Sequence, residues 1–234
     1  MQLTEEELDR IDVLQGCSQQ CRQQFAARTG LLRLPKNHCL YSDQMHMDYL
    51  YFLLEGRVNL VKYSEHGECR VILIPEIGMM INQPRSWKQL SAAECRTLTE
   101  TVLARISLVD FEQLMQQEYR LAANCMAAME KRIRQLYRQL KNTVSLSVEK
   151  RLASKLYRLG RQFGKWDNQM GMTLIELPLS ITYMAKLVGC QRETLSRCVK
   201  AMETNGVLRI ERRRTHVDLA KLRRLYKGNE ALLD

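Results

Sequence analysis

No apolar run in these 234 residues approaches the roughly 20 residues needed to cross a bilayer. The opening stretch MQLTEEELDR is acidic and lacks the apolar h-region of a secretory leader. Both absences lead us to expect a cytoplasmic protein with no membrane partner. Cysteine pairs of the C-x-x-C type are missing too: the eight cysteines are scattered at 17, 21, 39, 69, 95, 125, 190 and 198. A chain this long, with 45% hydrophobic residues, does not need covalent staples, so mostly free thiols are expected. Histidine is scarce, with 4 dispersed residues, which argues against a cupin-like metal enzyme. No Ser-His-Asp, metal-ligand or phosphate-loop constellation stands out, so we assign no catalytic residue and no metal ligand. Internal repeats and low-complexity tracts are also absent.

Charge is present but uneven. The formal net charge is +10, yet Lys186 to Lys227 alone holds 12 Lys/Arg against 4 Asp/Glu. The basic character therefore belongs to one end of the chain. Such a field favours a polyanion over ordinary solubility or an acidic membrane surface.

From about 25 to 108 the chain reads as short apolar runs with turn signals between them: LLRL, LYFLL before Glu55-Gly56, VNLVKY before Glu65-His66-Gly67, VILI and VLARIS. Strands at that interval predict an antiparallel roll or barrel, jelly-roll or cupin-like. Short helices are expected to flank it at 4–13 and 18–29. Near Asp110 the period changes to 3.6. Ala122, Met126, Met129, Ile133, Leu136, Leu140 and Thr143 alternate spacings of four and three, one apolar seam along a helix of about 25 residues. Arg132, Arg134, Arg138 and Lys141 are expected on its remaining faces, leaving a narrow stripe suited to a two-stranded homodimer rather than to packing on its own roll. The fold class is thus α+β, divided as a sensory roll over 1–110, a dimerisation helix over 111–144 and a second domain over 145–234. In that second domain a helix over about 147–164 ends at Gly164, and MTLIELP supplies a strand before Pro178.

The most informative stretch is SITYMAKLVGCQRETLSRCVKAMETNG, residues 180–206. Ser180 is a suitable N-cap for a helix whose Met184, Leu187 and Val188 face inward. Gly189 permits a left-handed turn, and the small Ala185 lies four residues before it. A second helix follows from about Gln191 to Asn205, with Leu195, Val199 and Met202 inward, Cys198 beside Leu195, and Gly206 as its stop. This pattern is a helix-turn-helix. Arg192, Glu193, Ser196 and Arg197 fall at i, i+1, i+4 and i+5, one face at the N-terminal end of the second helix. That end enters the major groove of duplex DNA. There an Arg can donate two bonds to guanine and a Glu can accept from cytosine N4, so Glu193 serves either as a base reader or by orienting Arg197. Ser180, Thr182, Gln191, Thr194 and Lys200 are expected on the sugar-phosphate backbone. VLRIERRRTHVDL predicts two wing strands around the basic turn Arg212, Arg213, Arg214 and Thr215, also on the backbone.

Across nearly its whole length the chain resembles the Crp-Fnr superfamily of bacterial transcription regulators. The resemblance rests on YFLLEGRVNL (51–60), the long connecting helix and LVGCQRETLSR (187–197). It implies a signal-sensing roll, a dimerising helix, and a winged helix-turn-helix that binds a palindrome and contacts RNA polymerase. It also implies Arg192, Glu193 and Arg197 as base readers, with Ser196 helping base selection, on half-sites with a TGA-like core about one helical turn apart.

The sequence departs from the cyclic-nucleotide-binding members of that family. Their Gly-Glu-Leu cassette aligns with Asn82, Gln83 and Pro84, and their Arg-Ser pair with Ser91 and Ala92. No carboxylate or phosphate-binding cation stands at these positions, which speaks against cyclic AMP, although Arg85 or Arg96 could substitute for the cation. The cofactor stays unassigned. An iron-sulfur cluster needs roughly four convergent thiolates, and Cys17, Cys21 and Cys39 are the nearest candidates. Cys17 and Cys21 could also form a thiol switch, and His38, His46 and His66 leave a haem open. What remains is an uncharged or weakly charged small-molecule effector, or a redox signal, with Asn82, Gln83, Arg85, Trp87, Arg96, Met126 and Met129 as candidate pocket residues. A rival reading is a cyclic-nucleotide-like regulatory subunit that acts through protein-protein contacts.

Overall fold

A computed structural model describes residues 3–84, 90–212 and 214–227. Contacts divide the chain into two units, one ending at Leu136 and one starting at Tyr137.

The first unit begins with α1 (Glu5–Arg10), closed by a capping box in which Thr4 and Glu7 satisfy each other's backbone amides. A 3₁₀ turn (Asp12–Leu14) leads to α2 (Gln19–Arg28), N-capped by the Ser18 hydroxyl. Seven strands follow: β1 (Gly30–Leu34), β2 (Cys39–Tyr41), β3 (Tyr49–Glu55), β4 (Val58–Tyr63), β5 (Cys69–Leu73), β6 (Glu94–Thr97) and β7 (Thr101–Ser107). They pair antiparallel in two sheets, ordered β1-β7-β3 and β2-β6-β4-β5.

The reason YLYFLLE is apolar on both alternating sets lies in this layering. Leu50, Phe52 and Leu54 of β3 pack with Ala104 and Ile106 of β7 against the helices, while Leu53 and Leu103 face the other sheet with Leu60 and Cys95. Successive strand residues point to opposite faces, so a strand covered on both reads as a continuous apolar run. Phe25 meets Phe52 and Phe111 edge-on at 5.6 and 6.3 Å between ring centroids, pinning α2 to β3.

After β7 the expected single helix over 111–144 is two. Ser107 N-caps α3 (Leu108–Gln117), and α4 runs Tyr119–Ser145. Between them Glu118 adopts extended backbone (φ −124°), and its carboxylate accepts from the Ser18 amide and hydroxyl at 3.2 and 2.6 Å. These bonds hold the break against the start of α2. The contact boundary between the units falls within α4.

One expectation on α4 is corrected. Arg132, expected on a remaining face outside the seam, is 9% exposed and points into the first unit, donating from Nη1 to the Ile81 carbonyl (3.3 Å) and from Nη2 to that of Met80 (2.5 Å). The seam itself is open. Met126 is 61% exposed, Ile133 48%, Leu136 42% and Leu140 64%, and Tyr137 and Val144 extend the exposed face. Met129 is half-buried against its own core.

The second unit contains α5 (Val148–Phe163), β8 (Gly164–Asp167), β9 (Met172–Ile175), α6 (Ile181–Val188), α7 (Arg192–Thr204), β10 (Leu208–Glu211), β11 (Arg214–Val217) and α8 (Leu219–Lys227). Its antiparallel sheet is ordered β10-β11-β9-β8. No helix among the described residues is long and apolar enough to cross a membrane.

Candidate nucleic-acid interface

The Ser180 hydroxyl accepts from the Tyr183 amide at 3.1 Å, which starts α6. The helix ends where Gly189 turns left-handed (φ 74°, ψ 61°) and its amide donates to the Ala185 carbonyl at 2.8 Å. A residue with a Cβ disfavours that conformation, so the glycine sets the angle at which α7 departs. Met184, Ala185, Leu187 and Val188 of α6 and Leu195, Val199 and Met202 of α7 are buried, consistent with the inward faces expected. Cys198 differs: it is only half-buried. It follows Arg197 on α7, where the helical turn carries it towards the edge of the apolar stripe rather than its centre.

The opposite side of α7 is open. Arg192, Glu193, Arg197 and Lys200 are exposed, and Ser196 and Thr194 are half-buried. Among the described residues no hydrogen bond or ion pair joins Glu193 to Arg197 or occupies Arg192. The carboxylate and both guanidiniums are thus free to meet an outside partner, and orientation of Arg197 by Glu193 is not seen. Ser180, Thr182 and Gln191 are exposed at the same end of the two helices. Gln191 is the N-cap of α7 and makes no side-chain cap bond, so its amide is available to a ligand as well.

The wing is a hairpin of β10 and β11, with Glu211 opposite Arg214. Arg214 and Thr215, expected in the turn, are the first residues of β11; Arg214 is exposed and Thr215 fully buried. Thr215 belongs to the sheet because it pairs with Ile210 on one side and Ile175 on the other. Arg212, at the tip, has φ 46° and is exposed. Arg213 lies outside the described residues.

Later in the chain than the two-sheet roll comes a helix-turn-helix with three charges open at the head of its second helix, followed by a basic-tipped hairpin. Residues 150–225 match the Crp-like helix-turn-helix domain family and residues 31–118 the cyclic nucleotide-binding domain family. The chain belongs to the Crp-Fnr superfamily. It is a DNA-binding transcription regulator, not an enzyme. Among relatives, the cAMP-activated global transcriptional regulator CRP of Haemophilus influenzae is 24% identical over 211 residues, covering 86% of this chain and 93% of that protein. The cAMP-activated global transcriptional regulator Vfr of Pseudomonas aeruginosa is 24% identical over 169 residues, covering 69% and 77%. In fold, FixK2 from Bradyrhizobium japonicum superposes with TM-score 0.75 at 16% identity, covering 84% of this chain and 96% of that one. The c-di-GMP responsive regulator CLP from Xanthomonas campestris gives 0.75 at 21% identity, covering 86% and 99%.

Among the described residues of this Crp-Fnr regulator, the expected effector residues are engaged separately. The Asn82 amide is buried and satisfied, accepting from the Tyr51 amide (3.0 Å) and donating to the Tyr49 carbonyl (2.8 Å). The Ser91 hydroxyl donates to the Ser42 carbonyl and accepts from the Met45 amide. Arg96 is engaged by Glu94 at 2.9 Å, and Met126 stands on the open seam. Gln83 is half-buried, while Arg85 and Trp87 lie outside the described residues. A cyclic phosphate needs an available cation and a ribose needs a carboxylate; the positions carried over from the family supply neither, so a cyclic nucleotide does not fit them.

A cavity of about 230 Å³ lies elsewhere in this unit, between the 3₁₀ turn, the Met79–Met80 segment and α4. Among the described residues, Met129 is the expected pocket residue that lines it. Arg132, which sequence reasoning missed, lines it too. The available signal was a second stripe beside the seam, Leu121, Cys125, Ala128, Arg132 and Gln135, whose spacing places the arginine inward.

All eight cysteines are free. Cys17 and Cys21 share the helix-side core with Cys125, whereas Cys39 lies on β2 in the four-stranded sheet with Cys95, so the three thiols tempting in sequence are split between two places. Burial pushes Cys21 and Cys125 up to about 12, which keeps both protonated and unreactive. Among the described residues no group of three or more His, Cys, Asp or Glu is placed to hold a metal ion. His46 contacts Asp48 at 3.2 Å, and the His38 amide bonds the Thr97 hydroxyl.

Proposed function

We propose that this regulator works in the cytoplasm as a homodimer that reads a palindromic site and is gated by a signal received in its roll. Residues 1–110 form the sensory domain, 111–144 the dimerising segment and 145–234 the DNA-binding domain. The observation that carries the reading is the unengaged face of α7: a buried apolar stripe fixes the helix, and Arg192, Glu193, Ser196 and Arg197 project from its head. Arg192 and Arg197 read guanines, Glu193 accepts from a cytosine amino group, and Ser196 contributes to base choice in a TGA-like half-site. Ser180, Thr182, Gln191, Thr194, Lys200, Arg212, Arg213 and Arg214 hold the backbone.

Dimerisation uses Met126, Met129, Ile133, Leu136 and Leu140. The support is their exposure, since four large apolar side chains in one stripe remain uncovered in the single chain. Two copies place their reading helices on half-sites about one helical turn apart, and the bound dimer contacts RNA polymerase. The relatives named cAMP-activated suggest a small-molecule signal; the residues here favour one other than cyclic AMP, or a redox signal.

Fluorescence anisotropy on a TGA-type palindrome and a scrambled duplex tests the reading. Preference for the palindrome, with a steep loss of affinity between about 50 and 200 mM salt, is expected. Flat, weak binding to both would favour a subunit acting through protein contacts.

A further inference from the structure

Arg132 is a buried cation for which no carboxylate supplies a counter-ion among the described residues. Two of its nitrogens donate to the Ile81 and Met80 carbonyls, and Nε is buried with no protein acceptor. Burial lowers its pKa, and burial also keeps the nearby Tyr41 phenol protonated and neutral, so that group supplies no anion. Holding a guanidinium out of water without an anion is costly, and an anion that enters beside it removes much of that cost.

The cavity is well built on the other sides. Asn124 Nδ2 donates to the Val13 and Gln15 carbonyls, both at 2.8 Å, tying α4 to the 3₁₀ turn. The Asp12 amide donates to the Gly78 carbonyl at 3.1 Å, and Gly78 (φ 88°) comes so near that a Cβ there would lie 1.8 Å from the Arg10 carbonyl oxygen. Only glycine allows this approach. Met79, Met80, Ala127, Ala128 and Met129 make the lining largely apolar. Lys131 and Asp12 also border it without forming an ion pair; with Arg132 they leave one net positive charge.

We propose that this cavity binds a small organic monocarboxylate with a short apolar body, its carboxylate meeting Arg132 and its body lying on the methionines and alanines. The volume, about 230 Å³, equals the share of about eight waters, enough for a molecule of roughly ten heavy atoms. It lies below the roughly 300 Å³ at which sites for drug-sized ligands begin. That such a ligand is the signal rests on the regulator reading above; that it binds does not.

Isothermal titration of the full-length protein without DNA uses benzoate, neutral benzamide and sulfate as probes. Saturable binding of benzoate is expected, with benzamide and sulfate at least about tenfold weaker. Arg132→Met, which removes the buried charge at similar volume, should lower benzoate affinity at least about tenfold while the protein stays folded. Ala127→Leu, which retains the cation and fills the cavity from its exposed rim, should do the same, so the test survives if the arginine variant does not fold. Absence of benzoate binding up to about 10 mM, ten times the dissociation constant of a weak millimolar ligand, would overturn the proposal. Equal binding of benzamide or sulfate, or undiminished binding by both variants, would overturn it as well. DNA anisotropy on the same samples is read separately, so loss of carboxylate binding leaves the palindrome result standing.

Discussion

Leu140→Glu is the cleanest probe of the proposed dimer. The side chain is 64% exposed in the single chain. Full burial of a leucine is worth about 1.5–3 kcal/mol, so roughly 1–2 kcal/mol per protomer remains to be gained on pairing. The symmetric interface loses this twice, and two carboxylates then approach each other across the seam. A total of about 4 kcal/mol corresponds to a dissociation constant about a thousandfold higher. Sedimentation velocity over a dilution series should show dimers for the parent chain and monomers for the variant at the same micromolar loading. Far-ultraviolet circular dichroism and Tm should stay close to the parent's at matched monomer, because little of this side chain packs within its own unit. An unchanged sedimentation coefficient for the variant would refute the seam. Met129→Glu is a poorer probe, since Met129 is half-buried against its own core and borders the cavity.

Glu193→Ala should relax preference at one base pair by about 1–3 kcal/mol, whereas Arg214→Ala should weaken matched and scrambled duplexes alike and lower the salt slope by about one; equal losses on both duplexes for Glu193→Ala would remove it from the groove. Gly189→Val forces a β-branched residue into the left-handed region at φ 74° and should cost about 1–2 kcal/mol of stability, so an unshifted denaturation midpoint would contradict the turn. Burial raises the Asp12 pKa while Lys131 opposes the rise, so its contribution is present below the ordinary carboxylate range and lost as pH rises through the raised value. Asp12→Asn should therefore raise Tm at neutral pH and not in strong acid; a gain at acid pH alone would reverse the assignment.

The helix-turn-helix was legible because each of its parts is local: a cap, a glycine turn and inward residues three or four apart all lie within residues 180–206. The long strands were legible by their apolar runs. β2 and β6 were not, since each is three or four residues long and β6 reads Glu-Cys-Arg-Thr, too polar and brief to stand out. β8 was hidden because Gly164 both ends α5 and opens the strand. The cavity was not legible: the sharp bend is at Gly78, and Met79 and Met80 border it, a few residues before Asn82 and Gln83. Its walls join Asp12 to Arg132, a closeness that no local pattern reports. Arginine in a helical stripe also reads as surface, and only the carbonyls of Met80 and Ile81 reveal otherwise.

Arg132 and Ile133 are chain neighbours, one turned into the roll and the other towards the open stripe. Consecutive helical side chains diverge by about 100°, and a rigid rod cannot pivot one without swinging the next. In the proposed dimer, an occupant that tugs the guanidinium would therefore also re-aim the isoleucine, converting chemistry inside a single subunit into the fit between two.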